Sequence, residues 1–481
     1  MAIKNGEEYI QSLRNRDMNV WILGEKVPEP VDHPFVRPSI NAVAETYDLA
    51  VENPDLGSAW SPLIDGPVNR FTHIAMSKED LVQQSRMQRH LGQKTGTCFQ
   101  RCVGMDAINA LFSVTYDCDE MHKTNYHERL KNFVAKIQKE NFVLGGAMTD
   151  PKGDRSKGPS AQTDPDMYLH IVDENDEGVF VTGAKMHQTG TLNSHYMVVM
   201  PTTRLLKEDK DYGIVGAIPV DAPGITYIYG RQSSDLRACE PGVADKGNAK
   251  YGGQETMVVF DKVFIPHEHV FMKGETEFAG PLVNRFTCYH RRSYICKSGL
   301  GDVMIGAAAT AAEYNGAAKA SHIKDKIVEM SHLNETIAGN ALAASWEGKE
   351  LPAGNYLPDE MMANVCKQNV TRFPYEISRL AQDIAGGLMV TMPSAQDFEN
   401  EELGPILEKY LKGVDEVPVE DRRRILRLLE NMTLGRNAAG YLTESMHGAG
   451  SPQAQRIQMQ RLMNLENKKQ LAKRLADIEE K

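Results

Sequence analysis

Four side chains that can carry a proton or bind a metal stand close together in the segment YHRRSYICKSG (residues 289–299). They are His290, Tyr294, Cys296 and Lys297. On a regular helix of about 3.6 residues per turn, Cys296 points roughly 120° away from the face that the other three share. Alternatively, the segment is an ordinary helix start, with Tyr294 packed against the core and both Arg291 and Arg292 in solvent.

Two further cysteines, Cys98 and Cys102, stand four residues apart in TGTCFQRCVG. On a helix they lie one above the other, which suits two thiolates that bind one metal centre. The CxxxC spacing is far less specific than a repeated CxxC, and unpaired cysteines are commonly small residues of the core. The pair alone leaves both interpretations open.

Candidate ligand contacts also stand at the ends of two strand-like segments. In KMHQTGTLNSH, Gln188, Thr189 and Gly190 fall where a strand breaks, and a flat ligand can approach the backbone closely there. Glu255 in YGGQETMVVF follows two glycines and precedes an apolar strand. A carboxylate at such a strand end acts as a general base or is simply solvated.

Two polar, glycine-containing segments are further candidates for ligand binding. AMTDPKGDRSKGPS (residues 147–160) is too polar for a core, so it is either a surface loop or a loop wrapped around a cofactor. HGAGSPQ (residues 447–453) is a flexible turn between two helical patterns. A ligand or a neighbouring subunit is the natural partner for its exposed backbone.

The order of sequence patterns predicts the elements that position these residues. Apolar residues spaced at three and four predict helices in the first ~145 residues, and period-two patterns follow from about residue 165 to about 275. MYLHIVDENDEGVFVTGAKMHQTG predicts a hairpin with DENDEG as its turn. Helical patterns return after about residue 280. This order predicts an α+β fold with an N-terminal helical domain (1–145), a middle antiparallel β domain (146–278) and a C-terminal helical bundle (279–481).

Composition excludes several classes of protein. The chain of 481 residues has a formal net charge of −11 with dispersed Lys and Arg, which argues against a nucleic-acid-binding protein. No apolar run reaches the roughly 20 residues that span a bilayer, and no secretory signal is present, so we expect a cytoplasmic protein without a membrane partner. Seven cysteines, an odd number, argue against a disulfide framework. No GxGxxG links a strand to a helix, which argues against a Rossmann cofactor site.

Segments spread over nearly the whole chain resemble the 4-hydroxyphenylacetate 3-hydroxylase family of flavoproteins. In order, they are NGEEYIQSL, HPFVRPSINAVAETYDLA, HQTG, GGQE, YHRRSY, DIAGGLMVTMPS, ENMTLG and TESMHGAGSPQAQ. Within the family they are most similar to the branch that dehydrates 4-hydroxybutyryl-CoA and isomerises vinylacetyl-CoA, because the hydroxylases are not expected to carry the cysteine pair and the His/Tyr/Cys/Lys segment. The resemblance implies an acyl-CoA-dehydrogenase-like fold with a middle antiparallel β-barrel, assembled as a homotetramer.

The resemblance also implies FAD and a [4Fe–4S] cluster. The implied cluster ligands are Cys98, Cys102, His290 and Cys296. The implied flavin-binding residues are Met148, Thr149, Asp150, Asp154, Arg155, Ser156, Gln188, Thr189, Gly190, His447, Gly448, Gly450, Ser451 and Gln453, together with Gln382, Gly386 and Gly387, which would meet the flavin of a neighbouring subunit. The implied catalytic residues are His290, Glu255, Tyr294, Lys297, Glu444 and Thr189. An oxygen-sensitive cluster implies an anaerobic or microaerobic cytoplasm.

The implied reaction is the radical dehydration of a small CoA thioester, 4-hydroxybutyryl-CoA, to crotonyl-CoA, with vinylacetyl-CoA Δ-isomerase activity. The C3 hydrogen is not acidic, and acid–base catalysis supplies only about 10²–10⁴-fold, so a flavin and a Lewis-acidic iron must supply the rest. We therefore expect His290 to be an iron ligand and the base for the C2 proton. Glu255, Tyr294 and Lys297 would handle the second proton and the departing hydroxyl. Glu444 would position or protonate the substrate.

The segment departs from the pattern HRxSYxxCK expected for this branch, in which two residues separate Tyr and Cys. Here only Ile295 separates Tyr294 from Cys296. On a regular helix the shorter spacing turns Cys296 about 100° off the face that holds His290. Three explanations are open: the backbone is irregular, the fourth ligand is Cys288, or the cluster is absent.

Three other functions stay open on the sequence alone. The first is a two-component FAD-dependent aromatic hydroxylase of the 4-hydroxyphenylacetate 3-monooxygenase type, without a cluster. The second is a catalytically silent oligomeric relative, and the third is a zinc site built from the same Cys and His residues. An absorbance spectrum under anaerobic conditions, the content of bound FAD and a metal analysis separate these three from the dehydratase.

Overall fold

The structure is a computed structural model that describes residues 3–478, and its helices and sheets follow the predicted order. Residues 1–2 and 479–481, at the ends of the first and third predicted domains, lie outside the described residues. The first helices are α1 (Gly6–Ser12), α2 (Arg37–Glu52), α3 (Pro54–Gly57), α4 (Lys78–Thr95), α5 (Cys102–His122) and α6 (Tyr126–Glu140). The strands are β1 (Asn19–Ile22), β2 (Glu25–Lys26), β3 (Ser58–Ser61), β4 (Gly66–Asn69), β5 (Leu144–Ala147), β6 (His170–Glu174), β7 (Gly178–Thr189), β8 (Tyr196–Val199), β9 (Ile214–Pro219), β10 (Ile225–Tyr229), β11 (Glu255–Pro266), β12 (Val270–Lys273), β13 (Lys349–Glu350) and β14 (Tyr356–Leu357). The later helices are α7 (Ala279–Ser293), α8 (Cys296–Tyr314), α9 (Ser321–Trp346), α10 (Glu360–Val370), α11 (Phe373–Ala385), α12 (Leu388–Thr391), α13 (Ala395–Glu399), α14 (Gly404–Tyr410), α15 (Val419–Thr433), α16 (Glu444–His447), α17 (Pro452–Leu462) and α18 (Leu465–Leu475).

The central strands form two open sheets, with the strand orders β2-β1-β10-β11-β7-β6 and β12-β9-β8-β5. Most neighbouring strands are antiparallel, but the pairs β1–β10 and β5–β8 are parallel. Neither sheet closes on itself within residues 3–478, so the mixed helix-and-sheet fold is confirmed but the predicted antiparallel β-barrel is not. Strands β1 and β2 lie between α1 and α2, near the start of the chain. They join the larger sheet because β1 pairs with β10.

The predicted hairpin is present as β6 and β7, which pair antiparallel. Its turn is closed by Asn175, whose side-chain oxygen accepts from the N–H groups of Glu177 at 2.9 Å and Gly178 at 3.0 Å. Further along, β7 pairs with β11 in a register that sets Thr189 opposite Glu255. Directly opposed residues of an antiparallel pair have neighbouring side chains, so the sheet brings these two site residues together.

Two glycines let α4 and α8 touch backbone to backbone. A Cβ on Gly92 would overlap the carbonyl oxygen of Cys296, and a Cβ on Gly299 would overlap that of Arg89. Only glycine allows so close an approach. The contact fixes the start of α8 against the helix that leads directly to Cys98.

The C-terminal bundle packs around a core rich in small residues. Helices α8, α9, α11 and α15 contribute to it, with Ala308 and Ala312 of α8 against Ile377 and Leu429. Although α8 and α9 have 19 and 26 residues, no helix of the described residues is both long and apolar enough to cross a membrane.

Candidate active site

The helix that carries the first four candidate residues is interrupted. α7 ends at Ser293, and α8 begins at Cys296. Three N–H groups between Ile295 and Ser298 donate to carbonyl oxygens three residues back. Such 3₁₀-type turns advance the chain by about 120° per residue instead of about 100°. The single regular helix predicted over residues 290–297 is therefore wrong, and the backbone is irregular, as the first explanation for the short spacing supposed.

The tighter winding turns Cys296 back toward α5. Cys296 is buried and packs in one apolar cluster with Cys102, Leu91 and Met105. Cys288 lies in a different cluster, with Ala344 and Ala363. Its thiol donates to a backbone carbonyl at 3.1 Å. Of the two cysteines that could supply the last ligand, the structure therefore sets Cys296 beside the cysteine pair.

Cys98 and Cys102 do not share a helix face, contrary to the prediction. α5 begins at Cys102, and the φ of 59° at Gln100 keeps the preceding residues out of the helix. Both thiols are buried, and burial raises their pKa values. The pKa of Cys102 is raised further by Cys98 and Cys296, because the negative charges of neighbouring thiolates repel. Cys98, Cys102 and Cys296 are thus near enough for their charges to act on one another.

The ring of His290 is oriented by a buried aspartate. Nδ1 of His290 lies 2.8 Å from Oδ2 of Asp106, whose Oδ1 accepts from the hydroxyl of Ser293 at 2.9 Å. Cys102, Asp106 and His290 each offer a ligand atom within 4.8 Å of the others. With Nδ1 held by Asp106, Nε2 is the ring nitrogen left for a metal.

Arg291 and Arg292 are buried, so the alternative in which both lie in solvent is wrong. Arg292 donates to the carbonyl oxygen of Leu81 at 2.7 Å and to the side chain of Gln84 at 3.0 Å, which ties α7 to α4. Arg291 donates to the carbonyl oxygen of Ala449 at 3.1 Å. It therefore holds the HGAGSPQ turn against the helix that carries His290.

The acid–base groups form two pairs in contact. The hydroxyl of Thr189 donates to Glu255 at 2.6 Å. Burial, and then the charge of Glu444, raise the pKa of Glu255 against the opposing effects of Thr189 and Lys297. Lys297 lies 3.4 Å from Glu444 and donates to the carbonyl oxygen of Gly440 at 2.7 Å. Burial alone would lower the pKa of Lys297, but Glu444 and the nearby cysteines together outweigh it and the pKa is raised.

Tyr294 connects the pair of Lys297 and Glu444 to His290. The two ring centroids are 5.4 Å apart, and the Tyr294 hydroxyl donates to the carbonyl oxygen of Glu444 at 3.4 Å. A Cβ on Gly448 would overlap that hydroxyl. Burial, and then the charge of Glu444, raise the pKa of Tyr294. Contacts therefore join four of the six predicted catalytic residues, namely His290, Tyr294, Lys297 and Glu444. The other two, Thr189 and Glu255, form a separate pair on which the charges of Glu444 and Lys297 act.

Hydrogen bonds join the first predicted flavin-binding loop to the end of β7. The N–H of Met148 donates to the side-chain oxygen of Gln188 at 2.9 Å, and the carbonyl oxygen of Thr149 accepts a backbone bond from β7 at 2.7 Å. The carboxylate of Asp150 pairs with Lys185 at 2.8 Å. Burial lowers the pKa of Lys185 in spite of that partner. Backbone contacts thus bring these predicted residues together.

The other predicted flavin-binding residues lie nearer the surface. The exposed ones are Asp154, Arg155, Ser156, His447, Gly450, Ser451 and Gln453. The hydroxyl of Ser156 donates to Asp154 at 2.7 Å. Beside them, burial lowers the pKa of His187, and the positive charges of Lys152 and His447 lower it further, so three basic groups are near enough to repel one another here.

Gln382, Gly386 and Gly387 lie at the end of α11, apart from the other flavin segments. Gly386 has a φ of 72° and ends the helix, and a Cβ on Gly387 would meet nothing within 4 Å. No hydrogen bond of these three among the described residues reaches the other flavin segments. Their contact with a neighbouring subunit's flavin stays a prediction.

Sequence reasoning missed four residues that shape the site: Asp106, Lys185, His187 and Lys367. Asp106 stands four residues after Cys102 on α5, so a CxxxCxxxD spacing could have found it. Lys185 interrupts an otherwise apolar strand, which is a sign of a buried charge. Lys367 has no such signal, because its partners come from distant parts of the chain.

Fold and site together agree with a comparison to known families. Residues 5–272 match the family described as 4-hydroxyphenylacetate 3-hydroxylase N terminal, and residues 279–477 match 4-hydroxyphenylacetate 3-hydroxylase C terminal. The chain belongs to the 4-hydroxyphenylacetate 3-hydroxylase family.

Within the family, the chain is 53% identical to the 4-hydroxybutyryl-CoA dehydratase/vinylacetyl-CoA-Δ-isomerase of Clostridium aminobutyricum, over 99% of this chain and 100% of the relative. The solved structure of an oxygen-tolerant archaeal 4-hydroxybutyryl-CoA dehydratase from N. maritimus is 65% identical, with a TM-score of 0.99 over 100% of this chain and 96% of that one. The oxygenase component of 4-hydroxyphenylacetate 3-monooxygenase, solved with FAD, is 23% identical and has a TM-score of 0.86 over 98% of both chains, a likeness of fold alone. The predicted resemblance to the dehydratase branch is confirmed. So is the prediction that the chain is an enzyme, related to hydro-lyases and isomerases.

Proposed function

We propose that the chain dehydrates 4-hydroxybutyryl-CoA to crotonyl-CoA and isomerises vinylacetyl-CoA, with FAD and a [4Fe–4S] cluster. One observation carries the proposal: the buried thiols lie directly beside the acid–base residues. A Cβ on Gly440 would be 4.0 Å from the Cβ of Cys98 and 3.3 Å from a carboxylate oxygen of Glu444. Hydroxylation of a phenol by a reduced flavin needs no thiol group at that place.

The donor set fits an iron–sulfur cluster with four protein ligands. Cys98, Cys102 and Cys296 supply three buried thiols, and His290 supplies an imidazole whose Nε2 is available. Burial keeps the free thiols protonated, because it raises their pKa values. Cluster binding would therefore release protons from them.

The flavin segments fit a large anionic cofactor. The basic group of Lys152, His187 and His447 is suited to binding phosphates. At Gly448, a side chain would overlap the hydroxyl of Tyr294, so the backbone can approach that hydroxyl closely. When bound, FAD supplies reversible one-electron chemistry, and the cluster supplies a Lewis-acidic iron. The remaining steps fall to side chains of this chain.

His290 is the proposed base for the C2 proton. Asp106 occupies Nδ1, so Nε2 would be the atom that holds iron and the atom that accepts the proton. The carboxylate of Asp106 would stabilise the imidazolium that results. Its hydrogen bond also holds the ring in place.

Tyr294, Lys297 and Glu444 are the proposed groups for departure of the C4 hydroxyl. Tyr294 is protonated at neutral pH because its pKa is raised, so it can donate a proton. Glu255, whose pKa is also raised, is suited to carrying the C3 proton. One proton leaves C2, one leaves C3, one completes water and one is added to C4, so the residues end in their starting states.

The substrate is proposed to be a CoA thioester because the dehydratase relatives are named for one. We propose a homotetramer in an anaerobic or microaerobic cytoplasm. The exposed flavin segments support an assembly in which a neighbouring subunit covers them.

An anaerobic experiment with a matched pair of cysteine variants tests the proposal. Wild-type protein, Cys296→Ser and Cys288→Ser are purified without oxygen and assayed with both CoA thioesters, and their iron and FAD are quantified. Wild type and Cys288→Ser should contain iron and FAD and catalyse both reactions, whereas Cys296→Ser should lose iron and dehydration. Iron-free wild type that hydroxylates a phenol with reduced FAD would contradict the proposal.

A further inference from the structure

Lys367 on α10 is a buried lysine that no step of the proposed reaction uses. Its side chain is 0% exposed. Its Nζ donates to the carbonyl oxygen of Ser445 and lies 3.5 Å from that of Met446. In the described part of the chain no carboxylate lies within 4 Å of it. A buried lysine with only neutral partners is costly, so its retention calls for a reason.

The contact with Tyr294 supplies that reason, because two lysines lie near its ring. Nζ of Lys367 is 4.4 Å from the ring centroid, and Nζ of Lys297 is 5.5 Å from it. An ammonium group near an aromatic face is attracted to its π electrons. The two lysines therefore hold the ring of Tyr294 in place.

The two lysines are not equivalent. Lys297 is paired with Glu444, which cancels much of its charge at Tyr294. Lys367 has no such partner, and its contacts are the Tyr294 ring and two carbonyl oxygens. Burial, and then the charges of Lys297 and Arg291, lower the pKa of Lys367 to about 7 against weaker effects of Cys366 and Glu444.

Lys367 also connects the ring to the turn that follows. Its carbonyl partners, Ser445 and Met446, come directly after Glu444 on α16, and Tyr294 contacts both Glu444 and Gly448. A single ammonium group thus holds the tyrosine and α16 in one arrangement.

We infer that Lys367 is a positioning residue for Tyr294: it clamps the ring against α16, so that the phenol hydroxyl keeps the place from which it acts on the departing hydroxide. The inference rests on the proposed function. In this step the C4–O bond breaks, the bonding pair leaves with oxygen, and the phenol proton completes water. One of the protons released at C2 and C3 restores the phenol, and the other is delivered to C4.

The two proposed activities depend differently on this step. Dehydration expels a hydroxide, whereas isomerisation of vinylacetyl-CoA only moves a proton between carbons. Loss of the Lys367 charge should therefore slow dehydration more than isomerisation. A lysine that merely filled space would affect both reactions alike.

The test compares Lys367→Met, which keeps the length of the side chain, with Lys367→Arg, which keeps the charge. Lys326→Met, at a surface ion pair on α9, is the matched control. With holoenzyme, we expect Lys367→Met to lower kcat for dehydration about tenfold more than kcat for isomerisation, at unchanged KM, and Lys367→Arg to recover part of the loss. Equal losses in both reactions, or none, would overturn the inference. Wild type without either activity would instead refute the proposed function.

A measurement without catalysis tests the contact itself. Thermal unfolding midpoints of the cofactor-free protein are compared for Lys367→Met, Tyr294→Leu and the double variant. If the ammonium group holds the ring, the shift of the double variant is smaller than the sum of the single shifts. Additive shifts would show that the two side chains do not interact.

Discussion

The two halves of the candidate active site are built in different ways. The ligand half, which consists of Cys98, Cys102, Cys296 and His290, is buried, and Nδ1 of His290 is held by Asp106 of the same chain. The flavin half, which consists of residues 154–156 and 447–453, is largely exposed. The ligand half is therefore formed before any cofactor binds. The flavin half gains its remaining contacts from the cofactor or from a second copy of the chain.

The largest expected effect comes from breaking the ligand half. Cys102→Ser removes one of three converging thiols, so iron and dehydration should be lost while FAD stays bound. Iron, FAD and turnover are measured on anaerobically purified protein. The control is Cys118→Ser, a buried cysteine further along α5. Full iron in the Cys102 variant would show that the thiols do not form one site.

The next effect concerns the acid–base residues between the two halves. Glu255→Gln keeps the shape of the side chain but cannot exchange a proton, so kcat should fall by about 10²–10⁴-fold. Exposed Glu268 provides the control, Glu268→Gln. Wild-type turnover in Glu255→Gln would exclude a proton-transfer role.

The same carboxyl group predicts how stability depends on pH. Burial and Glu444 raise the pKa of Glu255 in the folded protein, so the folded state binds more protons than the unfolded chain. The free energy of unfolding should therefore fall as pH rises from about 4.3, the ordinary Glu pKa, through the raised value. Urea unfolding of the cofactor-free protein measures this fall. Glu255→Gln should reduce it, and an unchanged slope would refute the raised pKa.

A smaller effect is expected at Asp106, which orients a ligand without binding iron itself. Asp106→Asn weakens the hold on Nδ1 of His290, and iron affinity should fall by about 10–100-fold. Competition with an iron chelator measures the affinity. The control is Asp117→Asn. Asp117 lies on α5 like Asp106 and pairs with Arg285 of α7, and its replacement should leave the iron affinity unchanged. Equal affinities in the two variants would show that the ring is held by packing alone.

The smallest effect is expected in the flavin half. Ser156→Ala removes an exposed hydroxyl that donates to Asp154. FAD affinity, measured by fluorescence titration of the cofactor-free protein, should change by no more than about fivefold. A much larger loss would mean that this loop is also formed in advance, and the contrast between the halves would disappear.

Local sequence patterns were sufficient for the elements that hold the site. Period-two alternation predicted the β6–β7 hairpin, and its continuation into β11 sets Thr189 opposite Glu255. The helices on either side followed from apolar spacing. These features depend on residues close together in the chain, which a pattern can report.

The wrong predictions concern features that local patterns do not show or that depend on contacts between distant parts of the chain. The left-handed backbone at Gln100 and the tight turns after Ser293 are local breaks that a regular helical pattern conceals. The alternative interpretation placed Arg292 in solvent, and it is wrong because the hydrogen-bond partners of Arg292 lie on α4, about 200 residues earlier. The partners of Lys367 are likewise set by packing of the bundle, and the closed barrel was expected only from resemblance.

The glycine contact between α4 and α8 has a consequence for the order of biosynthesis. Cys98 follows α4 and Cys296 begins α8, so the two thiols enter the growing chain roughly 200 residues apart. Until α7 and α8 have emerged from the ribosome, the N-terminal part holds only two of the three thiols of the proposed site and lacks His290. Iron delivery to that site must therefore wait until α8 has emerged and packed on α4, and a bulkier residue at Gly92 or Gly299 would impair this step of maturation.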